Sequence, residues 1–285
     1  MRTIKLLQTD PGFTLVELLV VISVIGLLSS IMLVAFTSQR EKARLAGANS
    51  FASQVDRVLG DQTIGLWDFD ECSGLTAIER SKTSLNASMG APPPWSVDTP
   101  SGKGCSLGLD GVRSATVNNS ASLAATSALT ISLWFKWNAS TGGQYQALAS
   151  RWGNSNSYAL IFDDTNNELE FWAAGLVPSN NIARPVSIKD SKWHHTAAVY
   201  DGESLALYLD GHRLGASLAA TGLINDNSQS LRIGADGTIT FGAAKLNGVI
   251  DSVHLFAKGL MAQDVRQLYL AEKQKFLSVA MQSKP

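Results

Sequence analysis

The first long pattern in the chain is an apolar run. From Phe13 to Phe36, 24 residues carry a single charge, Glu17. As a helix this stretch spans about 36 Å, more than the roughly 30 Å hydrocarbon core of a bilayer. It exceeds the apolar region of an ordinary secretory signal, and no A-x-A site follows it. Further on, Ala48, Phe51, Ala52, Val55 and Leu59 recur at three- and four-residue spacing. Arg40, Glu41, Lys42, Arg44, Asp56 and Arg57 lie among them as a polar face. The helix is therefore expected to continue as an amphipathic stalk and to stop near Gly60.

From Thr63 the apolar period changes from 3.6 to 2. In SALTISLWFKWN, Leu129, Ile131, Leu133, Phe135 and Trp137 fall on one face. HHTAAVYDGESLALYLDGHRLGASL reads as three strands joined by Asp201-Gly202 and Asp210-Gly211, the strongest short-range hairpin signal. Further turns are expected at Asp110-Gly111 and Asp236-Gly237, and further strands at 63–69, 105–109, 112–117, 146–151, 157–163, 168–173, 230–234 and 246–256. Many short strands with no helix between them imply an antiparallel sandwich. A helix from about 261 to 277 closes the chain. The expected architecture is mainly β: a long N-terminal helix over 13–60 (membrane part about 13–36), a sandwich over 61–260, and a C-terminal helix and tail over 261–285.

Composition refines this picture. The net charge of −1 is unevenly spread: +1 over 1–12, +2 over 37–60, +3 over 258–285, and −6 over 61–257. An acidic head argues against nucleic acid as its partner, because phosphate binding needs clustered Lys and Arg. Arg2 and Lys5 precede the apolar run, but Arg40, Lys42 and Arg44 follow it, so flanking charge does not fix its orientation. Glu17 needs explaining, since a carboxylate at membrane depth is costly and usually has a partner.

PGFTLVELLVVISVIGLL, residues 11–28, resembles the class III signal of type IV pilins and pseudopilins. The resemblance covers about residues 8–45. It implies that prepilin peptidase removes residues 1–12 by cutting between Gly12 and Phe13, and that the new amine on Phe13 is methylated. That amine then offers the Glu17 carboxylate of a neighbouring subunit a counter-ion, which favours assembly and sets axial register. The simpler reading has Glu17 capping its own helix through Thr14-x-x-Glu17. Many pilins carry a helix-bending proline some twenty residues into the mature chain, and SSIMLVAF here has none. The implied location is a single-pass inner-membrane protein with an extracytoplasmic head, assembled into a filament or pseudopilus.

The head resembles the laminin-G-like jelly roll of the concanavalin A-like lectin/glucanase group. The matching stretches are GLWDFDECSG (65–74), LDGVRSATV (109–117), SALTISLWFK (127–136), WHHTAAVYDGESLALYLDG (193–211), LRIG (231–234) and LNGVIDSVHLFAKGL (246–260). The resemblance implies two curved antiparallel sheets without naming a ligand. In an exported head, Cys72 and Cys105 are expected to pair rather than stay free or bind metal. The bond would close a loop of about 34 residues, worth about 3–4 kcal/mol. No cofactor is required, but related jelly rolls often hold one structural calcium ion. Asp70, Asp110 and Asp251 stand at positions suited to it, set against a plain role in turns and strand ends.

Enzyme chemistry has thin support. Glu168 and Glu170 alternate on one strand as glucanase carboxylates do, but the third position is Trp172. His194 and His195 point to opposite faces of a strand and cannot act together. Trp95 and Trp152 lie in loop-like sequence and are candidate sugar-contacting rings, weighed against a place in the core. Three functions are in play. The first is a pilin-like subunit displaying a lectin-like domain to a glycan or surface protein. The second is a type II secretion pseudopilin touching cargo. The third, with least support, is a membrane-anchored glycoside hydrolase. The implied partners are prepilin peptidase, other pilin or pseudopilin subunits and the membrane.

Overall fold

The computed structural model describes residues 15–26, 62–153, 156–237 and 244–281. Gly12, Phe13, the rest of the apolar run and the stalk lie outside the described residues. The chain divides into two compact units, residues 1–49 and 50–285.

In the first unit, residues 15–26 form helix α1. Its apolar side chains stand uncovered, Leu15, Val16 and Ile22 among them. Among the described residues, no helix is long and apolar enough to cross a membrane.

The second unit is built of β-strands. The first six are β1 (Thr63–Trp67), β2 (Thr76–Ala77), β3 (Ala87–Met89), β4 (Trp95–Ser96), β5 (Ser106–Asp110) and β6 (Ala115–Val117). Next come β7 (Leu129–Trp137), β8 (Tyr145–Arg151), β9 (Tyr158–Asp163), β10 (Glu168–Ala173), β11 (Val177–Pro178) and β12 (Asn181–Pro185). The last are β13 (His194–Tyr200), β14 (Ser204–Leu209), β15 (His212–Arg213), β16 (Leu218–Thr221), β17 (Leu231–Ile233) and β18 (Asn247–Phe256). Helix α2 (Ala262–Met281) follows. One sheet runs β11-β16-β14-β13-β7-β18-β5-β4, with β1 also on β18 and β15 on β14. The other runs β12-β10-β9-β8-β17-β6-β3-β2. The paired strands are antiparallel throughout, and the two sheets form the jelly-roll sandwich.

The core lies between the sheets and follows the period-2 pattern. Leu129, Ile131, Leu133 and Phe135 of β7 are fully buried against Leu160 and Phe162 of β9 and Leu169 and Phe171 of β10, in one cluster. Each such side chain contributes about 1.5–3 kcal/mol by leaving water. Two bulges adjust the inward set. At Asp251/His254 the β18 register shifts against β7, so the inward positions change from Ile250 to Val253 and Leu255. At Ala147/Ala149 the β8 register shifts against β9, and both Leu148 and Ala149 reach the core.

Helix α2 covers the outer face of the first sheet. Val265 and Leu268 pack with Ala197, Val199, Ala206, Tyr208, Phe256 and Leu260. Trp134 stacks on Tyr269 at 5.6 Å and meets Phe276 edge-on at 5.2 Å. Glu272 sits beneath this helix, accepting a 2.6 Å hydrogen bond from Trp134 Nε1 and lying 3.0 Å from His254 Nε2.

Candidate ligand-binding site

One end of the sandwich holds a cleft where three connections meet. The β7–β8 loop contributes Ser140, Gly142, Gly143 and Gln144, the β9–β10 turn Asp164 and Thr165, and the β12–β13 loop Lys189. Trp137, the last residue of β7, forms a wall, and the volume is about 350 Å³. The period-2 phase of β7 turns Trp137 inward, but at the strand end it reaches the rim instead of the centre, packed against the core and half-buried.

The cleft is held by a polar network. Asp163 caps the β9–β10 turn, accepting from the backbone N–H groups of Thr165 and Asn166 at 2.9 Å each. Its other oxygen accepts from the amide groups of Gln144 and Asn166, also at 2.9 Å. Lys189 Nζ donates to the carbonyl of Asp164 at 2.7 Å and lies 2.7 Å from its Oδ1. The same ammonium sits 5.5 Å from the Trp137 ring centroid and 5.6 Å from that of Phe162. Burial works against the Asp164 carboxylate. Hydrogen bonds from Lys189, Ser140 and Gln146 outweigh it and hold the acid below its ordinary range. Behind the cleft, Gln146 of β8 is fully buried and accepts from the Asn247 backbone at 3.0 Å, tying the start of β8 to that of β18.

The residues expected from sequence to bind ligand sit elsewhere. Trp152 is only 5% exposed, packed edge-on to Trp172 over Ala147, Ala159 and Ile161 on the outer face of the second sheet. It follows the end of β8, outside any strand as the sequence suggested, but one large ring covers a floor of small residues there and is buried. Trp95 lies on β4, half-buried against the core, and donates to the Gly74 carbonyl at 2.9 Å. Trp137 and Lys189 were missed. Trp137 read as an interior strand residue, and nothing local to Lys189 marks it, since their partners are distant in sequence.

A second cleft, about 230 Å³, bears on calcium. Asp68, Asp70, Ser101, Lys103, Gly104, Asp251, Ser252 and Phe276 line it. Asp70 and Asp251 thus share a cleft, joined by Asp68. Asp110 is committed to its own turn, accepting from the Val112 and Arg113 backbones at 3.0 Å and pairing with the Arg113 guanidinium at 3.1 Å. Among the described residues no group of three or more His, Cys, Asp or Glu side chains is placed to hold a metal. Lys103 in the same lining adds an ammonium. The residues present do not fit a calcium ligand set. Beside this cleft Cys72 and Cys105 form a disulfide with Cα atoms 5.3 Å apart.

The remaining candidates are placed as follows. Glu170 is buried on the outer face of the second sheet and accepts from Trp172 Nε1 at 2.6 Å, so the ring in the third glucanase position holds the acid. Burial raises its pKa, and the charges of Asp163 and Glu168 add to the rise. His195 is buried under α2, 2.8 Å from Ser132 Oγ, while His194 lies between Asp210 (2.9 Å) and Asp190 (3.0 Å). Glu17 lies on α1.

Residues 10–33 match the prokaryotic N-terminal methylation motif, and residues 109–266 match the concanavalin A-like lectin/glucanases superfamily. No curated protein matches the chain. Among solved structures it is similar to the binding domain of Paraclostridial mosquitocidal protein 1, at 14% identity and a TM-score of 0.60, over 74% of this chain and 52% of that one. The chain thus spans about half of that chain. It is also similar to domain 4 of AbnA, an extracellular arabinanase from Geobacillus stearothermophilus solved with arabinotriose. There the identity is 14% and the TM-score 0.52, over 73% of this chain and 98% of that one. A third is Trypanosoma rangeli sialidase, at 15% identity and a TM-score of 0.52, over 74% of this chain and 33% of that one. At these identities the likeness is one of fold. The chain belongs to the concanavalin A-like lectin/glucanase superfamily, here carried behind a prokaryotic N-terminal methylation motif.

Proposed function

We propose that the chain is a pilin-like subunit that presents a lectin-like head for binding a saccharide on an outside surface. The observation that carries this reading is the fusion itself. A methylation motif over 10–33 and a lectin-type domain over 109–266 share one chain, so the machinery that exports and stacks the first part displays the second. In this reading prepilin peptidase cuts between Gly12 and Phe13, the apolar helix anchors the subunit in the inner membrane, and Glu17 pairs with the Phe13 amine of a neighbour. The uncovered apolar side chains of α1 support it, because such a surface needs lipid or other subunits around it.

The head acts as a binder rather than a hydrolase in this proposal. Glu170 is engaged by Trp172, and His194 and His195 are separated on opposite faces of β13. Mass spectrometry of the mature N-terminus tests the reading. A chain beginning at N-methylated Phe13 is expected. A chain still beginning at Met1 in cells with an active prepilin peptidase would overturn it.

A further inference from the structure

We infer that the rim cleft bounded by Trp137, Gln144, Asp164 and Lys189 is the saccharide pocket of the head, and that it takes neutral sugars and rejects sialylated or uronic ones. This rests on the reading of the head as glycan-binding and adds where the sugar sits and which class it belongs to.

The size and chemistry fit a short saccharide. The cleft, about 350 Å³, is at the lower end of the range for small-ligand pockets, about 300–1,000 Å³. Its wall carries a donor with nothing to bond: Trp137 Nε1–H is buried and has no hydrogen-bond partner among the described residues. A buried donor left unmet is costly, and a small shift of the rim side chains on binding would bring a ligand hydroxyl within its reach. Gln144 spends its NH₂ group on Asp163, which leaves its carbonyl oxygen as an acceptor. The Thr165 side chain adds a hydroxyl. Donors and acceptors set side by side suit a polyol, each of whose hydroxyls does both. The Trp137 ring has Lys189 over it, so the sugar is recognised by hydrogen bonds, not by stacking on that ring.

Charge sets the class. Asp163 and Asp164 stand against Lys189 alone, so cleft and rear wall carry −1. Lys189 is no receptor for a ligand carboxylate. Its hydrogen bond and its ion pair both go to Asp164, itself only 8% exposed. Drawing the ammonium away would strand a buried carboxylate, and a second anion beside it would be repelled.

The test uses the full chain in detergent micelles, titrated calorimetrically with lactose, maltotriose and arabinotriose, and with sialyllactose and a trigalacturonate as anionic counterparts. At least one neutral probe is expected to bind, with the anionic ones at least about tenfold weaker. Trp137→Phe keeps an aromatic wall and removes the donor, and is expected to weaken neutral binding about fivefold. Trp137→Ala serves as the stronger variant wherever its thermal midpoint shows it folded. Neutral binding that both variants leave unchanged would overturn the cleft assignment while sparing the glycan-binding reading. Sialyllactose binding as tightly as lactose would overturn the charge rule. No binding by any probe would overturn both this inference and the saccharide reading of the head.

Discussion

His194 shows how much one side chain can join. Its Nδ1 lies 2.9 Å from Asp210 in the β14–β15 turn and its Nε2 3.0 Å from Asp190 in the loop before β13. The hydrogen bond to Asp210 leads in raising the His194 pKa, overcoming burial, and Asp190 adds to it. The hydrogen bond with His194 leads in lowering Asp190 to about 2. Asp210 is lowered too: burial opposes this, but His194 and the His195 backbone N–H outweigh it. The signs give a window. The raised imidazole contributes fully below its unfolded value near 6.5 and loses the contribution as pH rises through its folded value. The lowered carboxylates contribute above about 4 and lose it as pH falls through their folded values. His194→Gln is therefore expected to cost about 1 kcal/mol near pH 5.5 and less above pH 8. Denaturant unfolding at the two pH values checks this. The sequence showed the Asp210-Gly211 turn and the strand that holds His194, because both are local patterns. It did not show the clamp, since Asp190, His194 and Asp210 meet only once β13 and β14 pair. Trp137, Asp164 and Lys189 were hidden for the same reason.

At the level of elements, α2 is the most informative. Its position after the last strand was legible from helical spacing, and the inward set Val265, Leu268 and Phe276 repeats at that spacing. What it covers was not legible, because Glu272 interrupts the apolar stripe with a charge that makes sense only against Trp134 and His254. Burial leads in lowering the His195 pKa to about 4, with His254 adding to the fall and the charges of Glu272 and Asp210 opposing it. Glu272 is also held low: burial opposes its charge, but His254, His195 and the Trp134 N–H prevail. Lys273 on the same helix is turned to Tyr269 Oη at 2.7 Å. Both shifts have one sign, with stability full above pH 6.5 and falling as the medium becomes acidic. Amide hydrogen exchange across α2 is expected to quicken between pH 7 and pH 5 more than across β7 or β9, after correction for intrinsic rates. Glu272→Ala, which leaves His254 and the Trp134 N–H without their acceptor, should cost about 3 kcal/mol in denaturant unfolding. The strands that sequence missed, β2, β3, β4, β11, β12 and β16, are two to five residues long. Each has too few turns of the period-2 pattern to stand out from loop.

For the molecule as a whole, covalent and ionic links matter in separate parts. The Cys72–Cys105 bond spans 33 residues of sequence. Replacing both with serine is expected to lower stability by about 3 kcal/mol by freeing that loop in the unfolded chain. Reduction of the native protein should lower its thermal midpoint in the same direction. Chelation is expected to leave the midpoint unchanged, because Lys103 shares the cleft of Asp70 and Asp251 and Asp110 is committed to its own turn; a fall of several degrees in EDTA would contradict this. In cells, Glu17→Ala should still reach the membrane but enter filaments less than wild type when both are expressed together. Quantitative mass spectrometry of sheared filaments against membranes reads that ratio.

Both sheets end in reduced margins. β11, β4 and β2 are two residues each, and β12 closes on Pro185. Little bare backbone is left there for a foreign strand to zip onto. Heads crowded shoulder to shoulder can then brush past one another without knitting into cross-β fibres, so many copies can be held at high local density and stay separate.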